Sequence, residues 1–108
     1  MNQKLHKQEV DHLFEAILTL KDKEECYRFF EDVCTVKEIL AIAQRYEVAL
    51  LLTQKMTYLG IAKATGASTA TISRVNRSLT YGEDGYELVF GRLAEQGIEQ
   101  KPAEPVES

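Results

Sequence analysis

The most constraining feature of the sequence is a long apolar segment between Thr35 and Gln54. Thr35 and Glu38 have the spacing of a capping box, so we expect a helix from Val36 to about Thr53. Apolar residues cover well over half of its circumference, which is typical of a helix surrounded by others. A chain of 108 residues has few other elements to surround it. The sequence therefore predicts an all-α fold that a second copy completes, a helical homodimer.

Two shorter helices are expected before this segment. Apolar residues from Val10 to Leu20 recur at the i, i+3, i+4 and i+7 positions of one helical face. Asp22 is a suitable N-cap for a second helix. Cys26 and Cys34 lack the CxxC spacing of a metal site and lie too far apart along a helix for a disulfide. We therefore expect buried cysteines and no metal site.

The two ends of the chain indicate the domain bounds and the cellular location. Residues 1–98 are predicted to form a single helical domain, and residues 99–108, which hold both prolines, a disordered acidic tail. The N-terminus lacks the apolar core of a signal peptide, and no apolar run approaches the roughly 18 residues of a membrane span. These features predict a cytoplasmic protein.

The charge of the chain is unevenly distributed. The net charge is −4, yet the segment from Val48 to Gly82 contains no Asp or Glu and four Lys or Arg. The other residues contain nine Lys or Arg and 17 Asp or Glu. Such asymmetry favours a local surface that faces a polyanion, whereas the acidic total argues against one.

The stretch TYLGIAKATGASTATISRVNR, residues 57–77, lies inside this basic segment. Gly66 is placed where two short helices would be joined by a left-handed residue. Thr65, just before it, is a polar residue at a position that is usually apolar. The inward positions of a helix-turn-helix are matched by Ile61, Ala62, Gly66, Ala67, Ile72 and Val75.

The second of these helices has a surface suited to DNA. Ser68 is a good N-cap, and the small side chains after it would let the backbone approach a duplex. Hydroxyls and methyl groups can contact base edges in the major groove, and Arg77 can reach a guanine edge or a phosphate. The predicted DNA-binding residues are Lys55, Lys63, Ser68, Thr69, Ala70, Thr71, Ser73 and Arg77.

These residues make the chain similar to the Trp repressor superfamily, in particular its YerC/YecD group. MTYLGIAKATGASTATISRVNRSL, residues 56–79, resembles the repressor's helix-turn-helix without gaps, and STATISRVNR followed by YGEDGY resembles the signature of the group. The resemblance covers roughly residues 8–96. It implies a six-helix, intertwined homodimer that acts as a repressor. The two recognition helices would enter successive major grooves of a pseudo-palindromic operator, roughly 34 Å apart.

The resemblance also implies a corepressor site in which tryptophan lies between two arginines. Arg74 matches one of them, and Ser78 matches a serine that contacts the ligand's amino group. Arg45 is the candidate for the other arginine if one residue is inserted; without a gap Gln44 takes that place. Val75 replaces the glycine after the first arginine, and its methyl groups would intrude on an indole.

No cofactor is therefore expected, and tryptophan is disfavoured as a ligand. Arg45, Arg74 and Ser78 are candidate effector-binding residues, for a different small molecule or for a pocket that the protein's own side chains fill. A phosphate contact or an ion pair is the simpler role for Arg74. Tyr81 and Tyr86 are expected to pack at the base of the DNA-reading helices, with ligand contact as the alternative.

The predicted function is that of a sequence-specific DNA-binding transcriptional regulator. The acidic total favours a rival, a protein-interaction module that keeps the fold without reading DNA. Catalysis is not expected, because the sequence has no Ser/His/Asp arrangement, carboxylate pair or phosphate loop. His6 and His12 lie far along the chain from any catalytic partner.

Overall fold

The computed structural model describes residues 2–102, and within this range the chain is all-α. A short 3-10 helix, Gln3–Leu5, precedes six α-helices. None of the described helices is both long and apolar enough to traverse a membrane. Of the predicted tail, residues 103–108 lie outside the described residues. The helices are α1 (Gln8–Ile17), α2 (Lys23–Val33), α3 (Val36–Thr53), α4 (Tyr58–Thr65), α5 (Thr69–Tyr81) and α6 (Gly85–Glu95).

The chain divides into two compact units, one ending at Ile39 and the other beginning at Leu40. That residues 1–98 form a single domain stays a prediction. In the first unit, the Asp22 carboxylate accepts a hydrogen bond from the Glu25 amide at 2.9 Å and caps α2, as expected. The α1 pattern ends earlier than predicted, at Ile17, so that Leu20 lies beyond the helix.

The first unit buries none of its described side chains completely. The α1 residues Leu13 and Phe14 are exposed, and Leu18 at the end of this helix is 84 % exposed. The prediction of buried cysteines is wrong, because Cys26 is exposed and Cys34 is only half-buried. A unit of two helices has too little surface to enclose its own apolar faces.

Helix α3 confirms its predicted bounds. The Thr35 amide donates to Glu38 Oε1 at 2.8 Å, and the Glu38 amide donates to Thr35 Oγ1 at 3.1 Å, which is the expected capping box. The bond from the Thr35 amide holds the pKa of Glu38 below its ordinary value of 4.5. Only the C-terminal half of α3 is buried, since Leu40 and Ile42 are exposed. Within this chain, the expectation of a helix surrounded by others thus holds for the C-terminal half of α3.

The second unit contains the hydrophobic core, which lies where α3, α4 and α5 meet. Full burial of each large aliphatic side chain stabilises the fold by roughly 1.5–3 kcal/mol. Tyr86 and Phe90 of α6 pack against this core. The buried residues that form this core cluster are Val48, Ala49, Leu51, Ile61, Ala67, Ile72 and Val75.

A glycine-containing C-cap ends α6. Gly97 is left-handed, with φ +71°, and the Ile98 amide donates to the Leu93 carbonyl at 2.9 Å. This Schellman-type closure satisfies a carbonyl at the helix end and reverses the chain. The Tyr46 hydroxyl then hydrogen-bonds to the Gln100 side chain. Residues 97–100 therefore return to the side of α3.

Candidate functional site

The connection between α4 and α5 has the geometry that its residues dictate. Gly66 is left-handed, with φ +73° and ψ 6°, and its amide donates to the Ala62 carbonyl at 2.8 Å. Ser68 is extended, and its Oγ accepts from the Thr71 amide at 3.1 Å. Both features were predicted: the glycine ends the first helix and the serine caps the second.

The inward faces of α4 and α5 are closely packed. Ile61 and Ile72 are completely buried, and Val75 and Ala67 are buried beside them. Ala62, a small residue on the first helix, is half-buried. This is the burial that the spacing predicts, and it holds α5 against the core of the second unit.

The outward face of α5 is open along its first turns. Five of its exposed residues, which we call the α5 outer face, are Thr69, Ala70, Ser73, Arg74 and Arg77. Thr71 differs from the other predicted DNA-binding residues because it is half-buried. Ser68 Oγ donates to Thr71 Oγ1 at 3.0 Å, so both hydroxyls are engaged in the helix cap.

Two lysines flank the α5 outer face in sequence, and both are exposed. Lys55 has φ +63° and is one of two described non-glycine residues with positive φ. This conformation costs a residue with a Cβ roughly 1–2 kcal/mol. Strain of this kind is concentrated at functional sites. Lys63 lies in the last turn of α4, where a cation complements the helix dipole.

The electrostatic character of this surface follows from the composition of the chain. Helices α4 and α5 and their connection contain no carboxylate. The free amides at the N-terminus of α5 add partial positive charge at its first turn. Arg74 and Arg77 place two further cations on the same helix. The surface is therefore suited to phosphate.

A cavity of about 330 Å³ lies beside α5, at the lower end of the range of ligand pockets. The structure brings together in its lining all three predicted effector residues, Arg45, Arg74 and Ser78. Arg74 and Ser78 are one helical turn apart on α5, while Arg45 comes from α3. Gln44 does not line this cavity, because its Nε2 donates to the Thr65 carbonyl at 3.2 Å.

Aliphatic and aromatic side chains complete the cavity lining. Val75 is 2 % exposed and contributes to the wall, so its methyl groups occupy space that a glycine would leave free. Tyr46 and Tyr86 line the same cavity, and Phe90 packs against both rings, with centroid separations of 5.6 and 6.1 Å. Burial raises the pKa of the Tyr46 phenol above its ordinary value of 10.0.

The expected packing role of Tyr81 is not present in this chain, because Tyr81 is 83 % exposed. Tyr86 packs as predicted and is also a cavity residue.

Three contributions were not predicted from the sequence. Tyr46 lines the cavity and binds Gln100, and Gln44 holds the end of α4. Thr65 supports the turn with its hydroxyl, which bonds to the Ile61 carbonyl and the Ala67 amide. The role of Thr65 could have been suspected from the sequence, because it is a polar residue at a position that is usually apolar. No comparable signal marked the glutamine.

The sequence profile described as Trp repressor protein matches residues 8–94 of this chain. The chain belongs to this family. Members of the family are regulators and not enzymes. The uncharacterized protein YerC of Bacillus subtilis (strain 168) is 56 % identical over 96 residues, which are 89 % of this chain and 92 % of that protein. This similarity assigns the chain to the YerC group within the family, as the sequence motifs indicated.

Solved structures agree with this assignment. The crystal structure of a TrpR-like protein from Eubacterium eligens ATCC 27750 is 62 % identical in sequence, with a TM-score of 0.85. The match covers 92 % of this chain and 100 % of that one. A structure from Staphylococcus aureus is 48 % identical, with a TM-score of 0.81, and covers 94 % of this chain and 100 % of its own. The all-α fold is thus that of the Trp-repressor-like proteins.

Proposed function

We propose that this protein is a sequence-specific DNA-binding transcriptional regulator, which represses as a homodimer through a helix-turn-helix formed by α4 and α5. The observation that carries this proposal is the exposed, carboxylate-free α5 outer face above a firmly packed inner face. A helix that is anchored on one side and open on the other can enter a major groove without rearrangement. Membership of the Trp repressor family supports the same function.

Each part of the surface has a distinct role in this proposal. Thr69 and Ala70 are small enough for the backbone to approach the duplex, and their methyl groups suit the thymine methyl. Arg77 reads a guanine edge, while Lys55 and Lys63 bind phosphates and set the register of the protein on DNA. Ser68 and Thr71 support these contacts through the cap that begins α5, and Ser73 adds a further hydroxyl on its exposed face. Repression then needs no chemistry, because a bound dimer occupies the operator.

Apolar surface that is left exposed in the single chain supports the homodimer. Helices α1 and α2 bury no residue, and the first half of α3 exposes Leu40 and Ile42. Stable dimers bury a total of roughly 1,200–2,000 Å² or more, with an apolar centre. A second copy exposes the same apolar faces on the same helices, so a two-fold symmetric dimer can bury the apolar faces of both copies against each other.

We further propose that the cavity beside α5 binds a small-molecule effector. The guanidinium groups of Arg45 and Arg74 suit a carboxylate, and the Ser78 hydroxyl can donate or accept a second bond. Tryptophan does not fit this lining well, because Val75 fills space that an indole would need. A ligand at this cavity would touch α5 itself and so act directly on the DNA-reading helix.

The test compares the purified protein with two variants that lose the same charge. Duplex binding of the wild type should weaken as salt rises, with a log–log slope of roughly −5 to −7 if each subunit engages three or four phosphates. Arg77→Ala should reduce affinity for the cognate duplex more than affinity for random DNA. Arg92→Ala, at an exposed position of α6, is the matched control and should reduce neither affinity.

Two results would count against the proposal. Equal losses for Arg77→Ala on both duplexes would reassign Arg77 to a phosphate contact. Absence of binding to any duplex at low salt would favour the rival function, a protein-interaction module that retains the fold.

A further inference from the structure

The end of α4 is held by a side chain from another helix. Thr65 is the last residue of α4, so its carbonyl has no partner within the helix. Gln44 Nε2 on α3 donates to this carbonyl at 3.2 Å. Both residues are half-buried, which limits the access of water to the same oxygen.

Thr65 also organises the turn through its side chain. Its hydroxyl donates to the Ile61 carbonyl at 2.7 Å and accepts from the Ala67 amide at 3.1 Å. One residue thus connects the last turn of α4, the left-handed Gly66 and the buried Ala67. We call Gln44 together with Thr65 the turn clamp. It links α3 to the two residues that immediately precede the α5 N-cap, Ser68.

We propose that Gln44 is a positioning residue for DNA recognition: through the turn clamp it fixes the direction in which the first turn of α5 leaves the core. This inference rests on the proposed DNA-binding function. Gln44 itself is half-buried on α3, and it acts through Thr65. Thr69 and Ala70 follow the clamped turn directly, so any loosening of the turn displaces these two residues first.

Specific and non-specific binding should respond differently to this loosening. Contacts with base edges require hydrogen-bond geometry and close approach, so a displaced first turn loses them. Phosphate attraction acts over longer distances and tolerates small displacements. A hydrogen bond that served only global stability would instead leave the preference for the cognate sequence unchanged, provided that the protein stays folded.

Two substitutions remove the donor while keeping the size of the side chain. Gln44→Met lacks polar hydrogens, and Gln44→Glu is isosteric but only accepts hydrogen bonds when ionised. Gln96→Met, at the exposed glutamine that is the C-cap of α6, is the matched control. Affinities are measured for the duplex that the wild type selects and for a scrambled duplex, at a temperature where all variants are fully folded. We expect the cognate affinity to fall about tenfold, or about 1.4 kcal/mol, in both donor-less variants. The scrambled duplex and the control should change less than twofold.

A second readout needs no DNA. Amide hydrogen exchange at Ala67 in the full chain should be accelerated several-fold by both donor-less variants and left unchanged by Gln96→Met. Thr65→Val removes the acceptor of this amide and serves as the positive control. Unchanged exchange in Gln44→Met and Gln44→Glu, or equal losses on cognate and scrambled duplexes, would overturn the proposal.

The two readouts separate failure of the clamp from failure of the proposed function. A wild type without preference for any duplex would refute sequence-specific binding, and exchange at Ala67 would still test the clamp. A wild type that selects a sequence, with Gln44 variants that select it equally well, would refute the positioning role alone.

Discussion

Replacement of Gly66 by alanine tests the turn that orients α5. Gly66 has φ +73°, and a Cβ built on it would meet no atom within 4 Å. The cost of Gly66→Ala is therefore backbone strain alone, roughly 1–2 kcal/mol for a left-handed residue with a Cβ. Alanine also restricts the unfolded chain, which returns about 0.4–1 kcal/mol. We expect a net destabilisation of about 1 kcal/mol.

Gly91 provides a control with the same substitution and the same open space. It lies inside α6, and a Cβ there also meets nothing within 4 Å, but its φ is not positive. Gly91→Ala should therefore stabilise the protein by about 0.5–1 kcal/mol, through higher helix propensity. The two variants are predicted to move stability in opposite directions.

Thermal unfolding followed by circular dichroism measures both effects. One kcal/mol corresponds to a shift of about 4 °C or more in a chain of this size. Protein concentration must be held constant, because the melting temperature of the proposed homodimer would depend on it. If Gly66→Ala melts at or above the wild-type temperature, residue 66 is not left-handed in the folded protein, and the geometry assigned to the turn is wrong.

Two other predictions concern single residues. Lys55→Gly should raise stability by about 0.5–1 kcal/mol, because it relieves a positive φ. The same variant should weaken DNA binding and reduce the salt slope by about two, one for each subunit of the proposed homodimer. A variant that gains stability and keeps full affinity for DNA would contradict the proposed phosphate contact. Glu38→Gln should destabilise the protein at neutral pH. Because the Thr35 amide lowers the pKa of Glu38 below 4.5, the charged carboxylate stabilises the fold above its unfolded pKa, and this benefit is lost as pH falls through the folded pKa. Denaturant unfolding should show the two proteins converging in acid, and a constant difference at every pH would refute the capping role of the charge.

Local sequence signals predicted much of the fold because their causes are local. The capping box at Thr35 set the start of α3, and Asp22 and Ser68 were recognised as caps from their neighbours alone. Gly66 was identified because a left-handed turn between two helices favours the residue without a Cβ. Burial of Ile72 followed from helical spacing.

Contacts between distant residues were less predictable. The hydrogen bond from Gln44 to the Thr65 carbonyl spans 21 positions and uses a backbone acceptor, so it cannot be predicted from either residue type. The cysteines were expected to be buried on the basis of their usual preference, but the small first unit has no enclosed core in which to bury Cys26. Three residues that line the cavity were easier to predict, because the family resemblance pointed to Arg45, Arg74 and Ser78 as candidates for one site.

The arrangement of two α5 helices on one duplex is the central claim, and selection of bound duplexes from a random pool tests it most directly. The pool should be sampled with and without a panel of amino acids, so that the same measurement reports any effector dependence. We predict a palindromic consensus whose half-sites are centred roughly 34 Å apart, one helical turn of DNA. Enrichment of a single unrepeated half-site, or of no sequence at all, would contradict the account.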